Sequence, residues 1–149
     1  MPAVTTCLWF TGRAGSGKTT VAAAVTEELR RRGCPVAFVD APDARAFLSG
    51  DDPLAALLWL ARLLGDAGVV AVVAVDEPRR AVRDRVRATI PEFAEIYVDG
   101  GPGADDYEEP YAPDLRVPTH DRAPGASAAQ VVSWLEDRGV VPPGHDPAS

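Results

Sequence analysis

The stretch that most constrains this chain runs from Thr5 to Thr20 and reads T-T-C-L-W-F-T-G-R-A-G-S-G-K-T-T. Gly12, Gly15, Gly17, Lys18 and Thr19 fit the pattern G-x-x-x-x-G-K-[ST], set after an apolar run that reads as a strand and before an alanine-rich run that reads as a helix. Glycines let such a loop take positive φ and turn consecutive backbone N–H groups inward, and a helix starting near Lys18 adds its positive dipole end. A polyphosphate suits that cavity. Lys18 is placed to reach the β- and γ-phosphates, and the Thr19 hydroxyl to ligate the Mg²⁺ that bridges them. The candidate phosphate-binding set is therefore Gly12, Arg13, Ala14, Gly15, Ser16, Gly17, Lys18, Thr19 and Thr20, the last carrying no claim beyond its place in the first helical turn. Of the 15 Lys and Arg residues, Lys18 is the one lysine. A chain that otherwise uses arginine keeps a compact ammonium where a point charge serves a phosphate better than a planar fork.

The 149 residues bound the fold to one domain by length, read as 1–141 with a frayed tail at 142–149, large enough to stand without disulfides or structural metal. Two cysteines, Cys7 in the strand-like run and Cys34 at a turn, make no metal spacing and fit a reducing cytoplasmic setting. No signal segment and no membrane-length apolar run are expected. A net charge of −7 speaks against nucleic acid as a partner, since backbone binding needs an extended positive field.

Beyond the loop, Val21, Val25 and Leu29 make an apolar stripe on a helix over 21–32, closed by Gly33, with Arg30, Arg31 and Arg32 read as a solvated end. Pro35 to Val39 reads as a parallel strand buried on both faces and ending at Asp40. Residues 41–53 read as a loop or broken helix, and 54–64 as an apolar helix with Trp59 in the core. Val69 to Val75 is a β-branched run followed by Asp76-Glu77, the form of a Walker-B-like strand whose carboxylates hold Mg²⁺ and orient a nucleophile. Pro78 is expected at the first turn of a helix over 78–88, on which Arg79 and Arg83 share one face and Arg80 and Arg87 another. Some of these arginines are placed to clamp an anion near the strand end, and most are expected in solvent. A strand over 93–98, an acidic proline-rich loop over 100–113, a short strand over 115–117 and a final helix over 127–138 capped by Ser127 complete the chain. Alternating strands and helices of this kind make a three-layer α/β fold with a mostly parallel sheet. The right-handed crossover rule lines up the loop, Asp40 and Asp76 along one edge.

The order of motifs resembles the adenylylsulfate kinases, P-loop enzymes that phosphorylate the ribose 3′-hydroxyl of adenosine 5′-phosphosulfate with MgATP. The resemblance rests on W-F-T-G-R-A-G-S-G-K-T-T at 9–20, E-E-L-R-R-R-G at 27–33, A-R-L-L-G-D-A-G-V-V at 61–70, P-R-R-A-V-R-D-R-V-R at 78–87, Y-V-D at 97–99 and Y-E-E-P-Y-A-P-D-L at 107–115. It implies a P-loop NTPase/kinase fold, ATP as phosphoryl donor and Mg²⁺ as the metal. Asp40 and Arg45 keep the family's places, while Asp76, which the family normally lacks at this strand end, and Arg80 come from the reading of the residues themselves; together these make Lys18, Asp40 and Asp76 the expected catalytic set, Thr19, Asp40 and Asp76 the expected metal ligands, and Arg45 and Arg80 the residues expected on the acceptor.

Three departures qualify what is implied. Where the family has D-G-D-x-x-R, residues 40–45 read D-A-P-D-A-R, so Pro42 stands in place of a second aspartate and Asp43 is one position late. The acceptor-holding segment is cut to L-S-G-D-D-P-L, and a basic lid is replaced by the acidic Gly100 to Asp106. The donor side is complete and the acceptor side altered. The expectation is a phosphotransferase acting on adenosine 5′-phosphosulfate or, with the lost basic groups, on a less anionic small metabolite. Asp76 would stand in for the missing aspartate. The alternative is a nucleotide-binding regulatory or scaffold protein that has lost phosphotransfer. Self-association into a homodimer is left open, a partner subunit being one source of the missing basic groups.

Overall fold

A computed structural model describes residues 6–41, 53–90, 92–101 and 106–141 of the chain, and the structural statements below concern these. Five strands and four helices alternate: β1 Cys7–Thr11, α1 Lys18–Arg31, β2 Val36–Ala41, α2 Pro53–Asp66, β3 Val70–Val75, α3 Arg80–Thr89, β4 Phe93–Asp99, β5 Leu115–Pro118 and α4 Pro124–Asp137. The sheet runs β2-β3-β1-β4-β5 with every pairing parallel. All carboxyl ends therefore lie on one edge, with β1 and its loop at the centre.

The strand pleat divides the core in two. Leu8 and Phe10 of β1 pack with Val21, Val25 and Leu29 of α1 and with Val131, Val132 and Leu135 of α4. Cys7 and Trp9 point the other way, onto Leu57, Leu58 and Ala61 of α2 and Val86 of α3. Alternate residues of a strand covered on both faces must all be apolar, so β1 and β3 read as unbroken hydrophobic runs. Full burial of each such side chain contributes about 1.5–3 kcal/mol. Helix α1 closes as the sequence suggests. Gly33, at φ 77, donates to the Arg30 carbonyl, and Cys34 donates to that of Leu29, a Schellman arrangement that needs a left-handed residue at Gly33.

Several expectations are corrected. Strand β2 is an edge strand bonded on one side, and Val36 to Val39 are half-buried instead of enclosed. Trp59 is not core: it is 67% exposed, because Leu57, Leu58 and Ala61 set the inward face of α2 and Trp59 turns away from it. Helix α3 begins at Arg80, not Pro78, with the Glu77 carboxylate accepting from the Arg79 N–H ahead of the first turn. Ser127 does not cap α4, which starts at Pro124; it is fully buried, and its hydroxyl donates to the Pro118 carbonyl at 3.3 Å. Arg30 and Arg31 do lie in solvent beside Glu27 and Glu28, but Arg32 reaches across to Glu136 and ties α1 to α4. The expected loop over 41–53 falls almost wholly outside the described residues.

Candidate active site

Strand β1 delivers the chain into the loop at the middle of the carboxyl edge. Gly15 and Gly17 have φ of 77 and 91, and the Ser16 N–H donates to the Arg13 carbonyl at 3.0 Å, closing the loop on itself. Gly12 is required by space: a Cβ there would stand 2.6 Å from both the Ser16 Oγ and the Val98 carbonyl. Gly17, which has no side chain, stands at the N-cap of α1 and makes no side-chain cap hydrogen bond to the first amides of the helix. Orphan amides at a helix N-terminus, with the dipole behind them, form an anion site. From the far side the Thr119 hydroxyl donates to the Ser16 carbonyl at 2.8 Å and holds the loop against the end of β5.

Lys18 is 93% buried in effect, with 7% of its surface exposed, and its Nζ lies 2.6 Å from Asp76 Oδ1. The strand order explains the pairing: β3 is the immediate neighbour of β1, and Asp76 follows its last residue. Asp76 keeps 54% of its side chain in solvent. Asp40 is exposed on β2, in register with Ala74 and one strand farther from the loop. Thr19 and Thr20 lie exposed in the first turn of α1. The fold thus brings Lys18 and Asp76 together, sets Thr19 beside Lys18 in the first turn of α1 and leaves Asp40 one strand farther out; Arg45 lies outside the described residues.

The arginines of α3 are less solvated than expected. Arg83 is 1% exposed, with Nη1 donating to the Glu77 carbonyl at 2.9 Å, Nη2 to the Glu108 carbonyl, and Nε 3.5 Å from Glu95 Oε2. Its guanidinium also stands over the Tyr107 ring at 4.8 Å. Arg87 pairs with Asp114 at 2.9 Å and Glu95 at 3.5 Å. Glu95 faces α3 from the middle of β4; burial raises its pKa, and the two arginines offset only part of that. Arg79 forks onto Glu77. Burial would raise the Glu77 pKa, but hydrogen bonds from the Arg79 side chain and backbone overcome it and leave the carboxyl below its usual range. Arg80 donates through Nε to the Glu109 carbonyl at 2.8 Å and stacks on the exposed Tyr111 ring at 3.7 Å.

Two features of the site are not assigned by the sequence reading, although residues 107–115 carry part of the resemblance. Residues Asp106 to Glu109 cross the carboxyl edge, with the Tyr107 hydroxyl 2.6 Å from Thr11 Oγ1 and Arg13 donating to Glu109 at 3.2 Å and to the Tyr97 hydroxyl at 3.4 Å. Burial pushes the Tyr97 phenol up to about 12 and raises that of Tyr107, so both stay protonated near neutrality. On the other flank, a cavity of about 340 Å³ is bounded by the loop from Gly15 to Gly17, by Gly101, and by His120, Asp121 and Arg122 after β5. Asp121 sits there at φ 55. The T-H-D-R run at 119–122 was the available clue, and only the β5 turn brings it to the loop. No described helix is long and apolar enough to cross a membrane.

The sequence profile of the adenylylsulphate kinase family matches residues 4–104. The adenylyl-sulfate kinase of Geotalea daltonii is 31% identical over 170 residues, covering 90% of this chain and 84% of that protein. A probable bifunctional SAT/APS kinase of Sorangium cellulosum is 30% identical over 91% of this chain, which spans 29% of that longer protein. Among solved structures, a Mycobacterium tuberculosis APS kinase mutant superposes with a TM-score of 0.71 at 30% identity, covering 91% of this chain and 99% of that one. The same enzyme in complex with AMPPNP and APS gives 0.74 at 25% identity, with the same coverage. A five-stranded parallel sheet with its anion loop at the centre, a lysine buried in that loop and a profile match over most of the chain lead to one conclusion: the protein belongs to the adenylylsulfate kinase family and is a kinase of P-loop fold.

Proposed function

We propose that the chain moves the γ-phosphoryl group of ATP to a hydroxyl of a small-molecule acceptor. The observation that carries this is the Lys18–Asp76 contact of 2.6 Å beside an uncapped helix N-terminus, a cation and a carboxylate placed together where a triphosphate would end. Loop amides from Gly12 to Thr19 and the Lys18 ammonium bind the β- and γ-phosphates and hold them in line with the acceptor. Phosphate oxygens compete with Asp76 for Lys18, so nucleotide binding releases the carboxylate. Asp76, with Asp40 at the rim, then takes the acceptor proton or holds metal. Thr19 and the two aspartates present hard oxygen donors that would hold Mg²⁺, which would supply charge neutralisation to the phosphates. The nucleoside end of ATP fits the cavity beside His120 to Arg122. Arg45 and Arg80 remain the residues proposed to face the acceptor.

The acceptor is adenosine 5′-phosphosulfate, as in the relatives' names, or, given the shortened 40–53 segment and missing lid, a less anionic metabolite. A second reading, a nucleotide-binding regulator without phosphotransfer, is favoured by one observation: only Gly100 to Asp106 link β4 to Tyr107, leaving little to exclude water. Incubation with MgATP and adenosine 5′-phosphosulfate, followed by mass spectrometry for the 3′-phosphorylated product, separates the cases. Product lost in Lys18→Ala assigns the family reaction. Tight nucleotide binding without product, repeated over a panel of neutral hydroxyl and amine acceptors, supports the regulator instead.

A further inference from the structure

The Ser16–Gly17 peptide lies at the tip of the phosphate loop, and its carbonyl is held from outside the loop. Thr119, the first residue after β5, donates its hydroxyl to the Ser16 carbonyl at 2.8 Å. The same oxygen stands 3.4 Å from the Asp99 carbonyl, so its one hydrogen goes to the nearer acceptor at Ser16. Thr119 is fixed in turn by its backbone. Its N–H donates to the Asp99 carbonyl at 3.0 Å, and its carbonyl accepts from the Arg122 N–H at 3.2 Å across a turn that holds Asp121 at φ 55. Gly100, which follows Asp99, leaves room for this reach: a Cβ there would overlap the Thr119 hydroxyl and come within 3.3 Å of the Ser16 carbonyl oxygen.

We infer that Thr119 is a positioning residue for phosphate binding: by holding the Ser16 carbonyl outward it turns the Gly17 N–H into the loop. This rests on the reading of the loop as a polyphosphate site. A trans peptide is planar and carries its C=O and N–H on opposite sides, so fixing the direction of one fixes the other. This peptide needs fixing. Gly17, at φ 91, has no Cβ to resist rotation, and among the described residues its N–H has no acceptor, whereas the Ser16 N–H is already taken by the Arg13 carbonyl. Ser16 is 3% exposed, so loss of the Thr119 hydroxyl leaves its carbonyl short of a donor. The smallest rearrangement that relieves this is rotation of the peptide plane, which sets an oxygen instead of an N–H against an incoming phosphate.

The test is binding of inorganic tripolyphosphate and of MgATP to the full chain by calorimetry, below the melting transition of every variant. Tripolyphosphate reports on the loop alone, because it has no nucleoside to touch His120 to Arg122. Thr119→Val keeps the shape without the hydroxyl and should weaken both ligands about tenfold; Thr119→Ser keeps the hydroxyl and should stay within about twofold of wild type. Gly100→Ala pushes the hydroxyl aside by another route and should give a loss of the same size, with Gly100→Ala/Thr119→Val no worse than Thr119→Val alone. Tripolyphosphate affinity unchanged in Thr119→Val, an equal loss in Thr119→Ser, or additive losses in the double variant would overturn the inference. So would a loss confined to MgATP, which makes Thr119 a contact of the nucleoside. Failure of the polyphosphate reading shows separately, as wild type that binds no tripolyphosphate or binds it undiminished in Lys18→Ala, and either result overturns both.

Discussion

Arg83 offers a quantitative test of how this fold is held together. Changing it to Met removes a guanidinium that is 1% exposed, pairs with Glu95 at 3.5 Å and donates to the carbonyls of Glu77 and Glu108. Glu95 is itself 5% exposed, so the substitution leaves a buried carboxylate short of counter-charge and two carbonyls short of donors. Removing one partner of such a pair costs about 3–5 kcal/mol, and Arg87, still 3.5 Å from Glu95, should keep the loss near the lower end. About 3 kcal/mol at this chain length lowers the thermal midpoint by roughly 10 °C. Urea unfolding at pH 7 measures the free energy, and calorimetry the midpoint. The pH dependence supplies a second check. Arg83 lowers the Glu95 pKa against the effect of burial, so the variant's carboxyl titrates higher still, and a protonated Glu95 needs no counter-charge. The penalty must therefore shrink as pH falls toward the ordinary carboxylate value of 4.5. Arg83→Met/Glu95→Met should recover much of the loss. A penalty below about 1 kcal/mol, or one independent of pH, would refute the account of Arg83 as the counter-ion of Glu95.

Four further outcomes are expected. Asp76→Asn takes a carboxylate that is 54% exposed away from a Lys18 side chain that is 9% exposed, and should cost about 1–3 kcal/mol of stability, yet lower kcat by about 10²–10⁴ if the carboxylate handles the acceptor proton; steady-state kinetics and a melt on the same preparation separate the two. Gly12→Ala places a methyl 2.6 Å from the Val98 carbonyl and should weaken nucleotide binding by roughly tenfold or more, read by titration calorimetry. Glu77, whose pKa is lowered on folding, contributes stability that is fully present above 4.5 and lost as pH falls through its lower folded value; the difference between wild type and Glu77→Gln in urea unfolding should narrow on acidification. Trp59→Gln should leave stability within about 0.5 kcal/mol, because 67% of Trp59 already faces water.

The strands, the phosphate loop and the order of elements were legible because each rests on local chemistry. Backbone dihedrals at Gly15 and Gly17, the apolar runs of β1 and β3, and the glycine stop at Gly33 are short-range properties that residue type alone restricts. Helix ends were read less well. Pro124 starts α4 and Arg80 starts α3, because carboxylates and carbonyls from neighbouring segments decide which amides need an intrahelical partner. The inward face of α2 could not be read from a stretch that is apolar almost all round, and Trp59 went to the wrong side.

The acceptor side was opaque for a related reason. Four arginines on α3 and Arg79 just ahead of it look like a solvated or anion-binding face until the partners arrive, and here those partners include Glu77, Glu95, Glu108 and Asp114, from three other segments. By itself the sequence determined that a polyphosphate loop sits at the end of a central strand, since the glycine spacing and the lone lysine admit few other uses. Tertiary structure alone decided which carboxylate meets that lysine, which arginines are paired within the protein and where Asp106 to Glu109 cross the carboxyl edge. Those outcomes depend on strand order and on contacts between residues distant in the chain, whose electrostatics are set by burial and distance and not by residue type.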